Sequence, residues 1–116
     1  MEIKIGNKRI GGNNSVFIVA ELGINHNGDL SLAKKMITAA KLAGADAVKL
    51  QSFVTEDFVG DKNLKYTYKS QGKTVTESQY KMFKRVEINQ SMQAELFEYA
   101  KKTGIIIFST PQDNSF

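Results

Sequence analysis

Apolar positions change their period several times along this chain, and each change marks an element. Glu2-Ile3-Lys4-Ile5 and Lys8-Arg9-Ile10 alternate around Gly6-Asn7, which predicts a small hairpin over about residues 2–10. From Val16 to Leu22 the run is apolar except for Glu21, the pattern of a strand covered on both faces in a parallel sheet. Gly23-Ile24-Asn25-His26-Asn27-Gly28-Asp29 then reads as a loop. Asp29 is placed to cap a helix from Leu30 to Ala43, where Ala33, Met36, Ile37 and Ala40 share a face and Gly44 is the stop.

A second strand is predicted from Asp46 to Phe53. A long polar stretch from Thr55 to Thr76 follows, then a short helix from Glu77 to Arg85. Ser91 reads as the cap of a further helix that runs to about Thr103, carries Ala94, Leu96, Phe97 and Ala100 on one face, and ends at Gly104. Ile105 to Phe108 is a third buried strand that delivers Ser109-Thr110-Pro111 at its end. Apolar strands alternating with amphipathic helices imply a parallel sheet with right-handed crossovers. The fold class is therefore α/β, in one domain, with no linker and no internal repeat.

Length changes this picture. The chain has 116 residues, whereas a closed eight-stranded α/β barrel needs about 250. Three parallel strands leave two open edges and need cover on both faces. The expectation is the opening third of a larger barrel, or a piece that completes its core with a partner. The absence of cysteine excludes disulfides, cysteine metal sites and a cysteine nucleophile, and fits a reducing cytoplasm. A single histidine excludes an all-histidine metal site within these residues. No apolar run approaches the ~20 residues of a membrane span, and no secretory signal is recognisable. The net charge of +4 suits an anionic small molecule as well as nucleic acid.

Chemistry in parallel α/β folds gathers at the C-terminal ends of strands. On the first parallel strand Phe17, Val19 and Glu21 share one face and Ile18, Ala20 and Leu22 the other. If the second set packs under helices, Glu21 faces a barrel mouth, either as an acid or base or as half of a structural ion pair with a lysine. Lys49 and Gln51 lie two apart on one face of the next strand. An ammonium in a buried strand needs an anionic partner, here a substrate anion or a carboxylate such as Glu21. Gln51 offers a donor and an acceptor suited to an amide or hydroxyl. Ser109 and Thr110 carry hydroxyls at the end of the third strand, suited to a carboxylate or phosphate and equally to starting a loop. Asn25 and His26 sit in the loop above Glu21, where the histidine reads as a hydrogen-bonding spacer in preference to a metal ligand. Dinucleotide and P-loop glycine motifs are absent. Lys62, Lys65, Tyr66, Tyr68, Lys69 and Lys73 interleave bases with aromatics, but Glu56, Asp57, Asp61 and Glu77 dilute the charge. The stretch reads as a lid or substrate-binding loop before a nucleic-acid surface. A non-catalytic α/β module binding an anion or nucleic acid through Lys49 and these bases is the alternative to an enzyme.

Three ordered motifs, Ala20-Glu21-Leu22-Gly23-Ile24-Asn25-His26-Asn27-Gly28-Asp29, Gly44-Ala45-Asp46-Ala47-Val48-Lys49-Leu50-Gln51 and Phe108-Ser109-Thr110-Pro111, resemble the sialic acid synthase family, which includes the legionaminic and pseudaminic acid synthases. The likeness runs from about Ile3 to the last residue and implies the N-terminal portion of a (β/α)₈ TIM barrel. The family condenses phosphoenolpyruvate with an N-acetylmannosamine-type aldehyde to a nine-carbon 2-keto acid, releasing phosphate. It works as a domain-swapped dimer with Mn²⁺ or Mg²⁺ and carries a C-terminal antifreeze-like domain. The resemblance makes Glu21 the acid/base carboxylate, Lys49 and Thr110 contacts to phosphoenolpyruvate, and Gln51 a reader of the sugar's N-acyl group. The family's metal-ligating histidines, its phosphate-binding serines and lysine, and the antifreeze-like domain all lie beyond the stretch covered here. At Lys73-Thr74-Val75-Thr76 the family's sugar-contacting asparagine has no counterpart. The 116 residues alone are therefore expected neither to bind the metal tightly nor to turn over.

Overall fold

In the computed structural model, which describes every residue from Met1 to Phe116, seven strands and four helices alternate along the chain. Strands β1 (Glu2–Ile5) and β2 (Lys8–Gly11) form the expected antiparallel hairpin. Gly6 takes a positive φ of 57° at the first position of its two-residue turn. Glycine is the residue that tight hairpin turns of this kind ask for there.

Strands β3 (Val19–Gly23), β4 (Ala47–Ser52) and β7 (Ile106–Pro111) make a parallel sheet in the order β3-β4-β7. Helices α1 (Leu30–Leu42) and α4 (Gln90–Thr103) lie side by side on one face. Their contact is apolar at its centre, where Ala33, Ile37, Leu96 and Ala100 meet Leu22, Val48, Leu50 and Ile105. Burying each of the larger of these side chains is worth about 1.5–3 kcal/mol. At the rim, the Thr38 and Tyr99 hydroxyls hydrogen-bond at 2.7 Å and Lys34 pairs with Glu95. Only 18 of the 116 residues are buried, because helices cover one sheet face alone. The β1–β2 hairpin closes the lower, N-terminal end of the other face. Lys8 pairs with Asp46 at 3.1 Å, and Gly6 packs on the side chain of Ile106. The upper end of that face stays open.

Asp29 caps α1 as expected, accepting the Leu32 N–H at 2.9 Å. The first parallel strand is shorter than its apolar run. Asp46 ends the ladder by accepting the Ile18 N–H at 2.8 Å, which leaves Val16 and Ile18 exposed outside the strand. The cap of α4 is Asn89, not Ser91: the Asn89 side-chain Oδ1 accepts the Met92 N–H at 2.8 Å, and Ser91 already lies in the first turn. Strand β7 is longer than expected and keeps Ser109, Thr110 and Pro111 paired with Leu50, Gln51 and Ser52 of β4. Proline is tolerated there because β7 is an edge strand.

The larger correction concerns the polar stretch after β4, which is not a loop. It holds a short helix α2 (Thr55–Phe58) and a second antiparallel hairpin, β5 (Lys65–Ser70) with β6 (Lys73–Ser78), before helix α3 (Gln79–Val86). The turn residues Gln71 and Gly72 both take positive φ, 49° and 76°, the backbone of a type I′ turn. Tyr68 faces Val75 across the ladder, and the Thr67 and Thr76 hydroxyls meet at 2.9 Å. Glu77 lies in β6, so α3 begins later than its polar pattern suggested, with Ser78 accepting the Lys81 N–H. Phe53, Phe58 and Phe83 join the ends of β4, α2 and α3 in an aromatic cluster with ring centroids 4.9–5.4 Å apart.

Candidate functional site

Along β4, Val48, Leu50 and Ser52 are buried under the helices, and the intervening Lys49 and Gln51 face the open side. Parallel register extends this parity to the neighbours. Glu21 of β3 pairs with Lys49, while Phe108 and Thr110 of β7 pair with Lys49 and Gln51. Glu21, Lys49, Gln51 and Thr110 therefore share one face at the C-terminal ends of three adjacent strands. Phe108 stands among them as an apolar floor 40% exposed.

The Lys49 ammonium forms an ion pair with Glu21 Oε2 at 2.7 Å, with about a third of the lysine side chain and just under half of the glutamate side chain still exposed. The register slips between Glu21 and Gly23, and Gly23 adopts φ +54°. A Cβ on Gly23 would lie 3.4 Å from both Gln51 Nε2 and Glu21 Oε1, so the glycine backbone separates these two side chains at contact distance. This cluster has one fixed cation, one carboxylate, one amide and one hydroxyl opening to solvent. It is suited to a ligand with a carboxylate or phosphate at one end and hydroxyl or amide groups at the other.

Ser109 does not belong to it. Its register partner is Leu50, so it points at the helix layer, where its hydroxyl meets that of Ser52 at 2.5 Å. Ser52 in turn donates to Gln93 Oε1 of α4 at 2.5 Å. The two-residue period of the strand thus sends Thr110 to the site and Ser109 to the sheet–helix seam.

His26 is 1% exposed, and its Nδ1 accepts the Gly28 N–H at 3.0 Å. That bond places the ring proton on Nε2, which has no hydrogen-bond partner. Burial holds the imidazole pKa below its ordinary value, the Gly23 backbone opposing weakly. The histidine ties its own loop through Nδ1, and its unpartnered Nε2 is buried away from solvent. Asn25 is exposed and lines a cleft of about 380 Å³ between this loop and the β5–β6 hairpin, opposite Tyr66, Tyr68 and Lys69. Sequence patterns gave no hint of this cleft, because the hairpin itself was hidden by a Gln-Gly turn in place of Asn-Gly.

The hairpin is braced. Arg85 donates two parallel bonds of 2.8 Å to Glu77, and Tyr68 donates a third at 2.5 Å. These donors hold the Glu77 carboxyl at about 2. Glu56 is held at about 2 by the Tyr80 hydroxyl and the Lys84 ammonium. No group of three or more His, Asp or Glu side chains stands together to hold a metal ion, and no helix is long and apolar enough to cross a membrane.

Residues 36–115 match the model of the NeuB family. The chain belongs to that family. The NeuB chain is 41% identical over 108 residues to N,N'-diacetyllegionaminic acid synthase of Legionella pneumophila, covering 93% of this chain and 30% of that protein. It is 37% identical over 107 residues to human N-acetylneuraminate-9-phosphate synthase, covering 90% of this chain and 29% of the relative. Among solved structures, the sialic acid synthetase of Leptospira borgpetersenii in complex with citrate superposes with a TM-score of 0.79 at 37% identity, over 98% of this chain and 35% of that one. The NeuB chain thus spans about a third or less of the length of the relatives it matches.

Proposed function

We propose that these residues form the N-terminal part of a (β/α)₈ barrel in a sugar-acid synthase, and carry the side of its active site that binds phosphoenolpyruvate and the reacting end of an N-acyl sugar aldehyde. The observation that carries this reading is the alignment of Glu21, Lys49, Gln51 and Thr110 on the one uncovered sheet face. The reaction joins C3 of phosphoenolpyruvate to the aldehyde carbon, gives the aldehyde oxygen a proton, consumes water and releases phosphate. In it Lys49 and Thr110 hold the carboxylate end of phosphoenolpyruvate. Gln51 reads the N-acyl amide, and Glu21 manages a proton at the sugar's reacting end.

We propose that the Mn²⁺ or Mg²⁺ of such a reaction is held by side chains outside these residues, among which no group of three or more His, Asp or Glu stands together. We further propose that the antifreeze-like domain and the metal ligands belong to a longer polypeptide acting as a cytoplasmic homodimer. Its partners are phosphoenolpyruvate and the sugar, not nucleic acid or membrane, and the 116 residues by themselves do not turn over.

The test is a phosphoenolpyruvate titration on a polypeptide of the relatives' length carrying this segment. Loss of one charge-assisted contact in Lys49→Ala weakens binding about 10- to 100-fold. The triple replacement of Lys62, Lys65 and Lys69 by alanine changes it less than about threefold, as expected for exposed charges. The reverse ranking overturns the reading in favour of an anion-binding module that uses the hairpin.

A further inference from the structure

We infer that Glu21 is an internal competitor for Lys49, so that the anionic substrate enters by exchanging partners with it and thereby frees the carboxylate for the second substrate. This deepens the proposed function and rests on it. Glu21 and Lys49 are Cα partners on adjacent parallel strands, and their side chains meet at 2.7 Å on the open face. The pair is accessible, with side chains 46% and 32% exposed, so it is not a buried bridge whose rupture would strand a charge.

Glu21 is the one carboxylate in ion-pair contact with the Lys49 ammonium, which leaves donor capacity for a ligand. An incoming carboxylate or phosphate is drawn to this cation and repelled by the glutamate beside it. Lys49 leans toward the stronger anion, and Glu21 loses its only cationic partner. Glu21 Oε1 lies beside Gly23, on the same side as the Gln51 amide. A freed carboxylate there is placed to accept a hydroxyl proton from a ligand that Gln51 also touches. The geometry thus orders the site: the anion binds first, and the neutral substrate meets a Glu21 that the anion has released. Linkage then requires each ligand to tighten the other by the same factor.

Simple repulsion between Glu21 and the anion also predicts tighter binding when the glutamate is neutralised, so the test is a double-mutant cycle. Phosphoenolpyruvate is titrated calorimetrically, without aldehyde, into the full-length protein and its Glu21→Gln, Lys49→Met and doubly substituted forms. Exchange predicts that Glu21→Gln binds about three- to tenfold more tightly than the parent although it no longer turns over. In the Lys49→Met background the same substitution gains clearly less, because only the relief of repulsion remains. Equal tightening in both backgrounds overturns the exchange and leaves plain repulsion, and unchanged or weaker binding by Glu21→Gln also overturns it. Failure of Lys49→Met to weaken binding overturns the proposed function itself, which keeps the two failures apart. Glu21→Asp provides a second reading in the same two backgrounds: its carboxylate is withdrawn by one methylene, so exchange predicts a larger gain where Lys49 is present than in Lys49→Met, and plain repulsion predicts equal gains.

Discussion

Replacing Gly28 by alanine puts a methyl group where the loop between β3 and α1 crosses the last turn of α3. Gly28 sits at φ +73°, and a Cβ built there lies 2.4 Å from the carbonyl oxygen of Arg85 and 3.6 Å from the Cα of Val86. Comfortable C···O contacts begin near ~3.3 Å, so one backbone must retreat by about 0.9 Å. Neither is free to do so. The loop is tied by the Gly28 N–H to His26 Nδ1, and α3 is tied through the Arg85 side chain to Glu77. The left-handed backbone costs alanine about 1–2 kcal/mol. Forcing a methyl into a packed contact costs about 1–3 kcal/mol more. Gly44→Ala isolates the first cost, because Gly44 has φ +89° and nothing within 4 Å of its Cβ position. Urea unfolding followed by circular dichroism should place Gly28→Ala below Gly44→Ala by the second cost alone, about 1–3 kcal/mol. If the two variants are equally destabilised, the loop does not rest on α3 as described.

Two further predictions concern protons. The Glu77 carboxyl is lowered from 4.5 to about 2 by Arg85 and Tyr68, so its contribution to stability is complete above the unfolded value and is lost as pH falls from about 4.5 toward 2. Thermal melts of the parent and Glu77→Gln should differ most above pH 5 and converge toward pH 2; a constant gap across that range refutes the assignment. His26 titrates below its ordinary 6.5 because burial disfavours the imidazolium, so the unfolded chain takes up the proton first and stability declines as pH drops below 6.5. As the chain's single histidine it gives one resolvable imidazole titration by NMR, with a midpoint expected below 6.5. His26→Asn, which keeps an acceptor for Gly28, should flatten the loss of melting temperature between pH 7 and pH 5, and an undiminished loss places that titration elsewhere.

The order of strands and helices was legible in the chain because each parallel strand is an uninterrupted apolar run and each main helix carries its own stop. Gly44 and Gly104 end α1 and α4 with positive φ, as their positions implied. The polar residues inside apolar strands, Glu21, Lys49 and Gln51, stood out for the same reason: a strand covered on both faces has no ordinary use for them. Their resemblance to a known family was legible too, since motifs are linear.

Tertiary structure decided what depends on register and on non-local partners. Strand parity alone cannot tell Ser109 from Thr110, because which face receives helices is set by how β7 pairs with β4, and that pairing sends Ser109 to Ser52 and Thr110 to the open side. The β5–β6 hairpin escaped the pattern because its turn carries glutamine where asparagine is the usual signal, and its strands are held by Thr67–Thr76 and by Glu77 reaching Arg85 of the next helix. Register likewise brings Lys49 against Glu21, one of the two anionic partners that its place in the strand left open. Two side chains on paired positions of adjacent strands neutralise each other, since an unpaired ammonium beside a carboxylate is the costlier state.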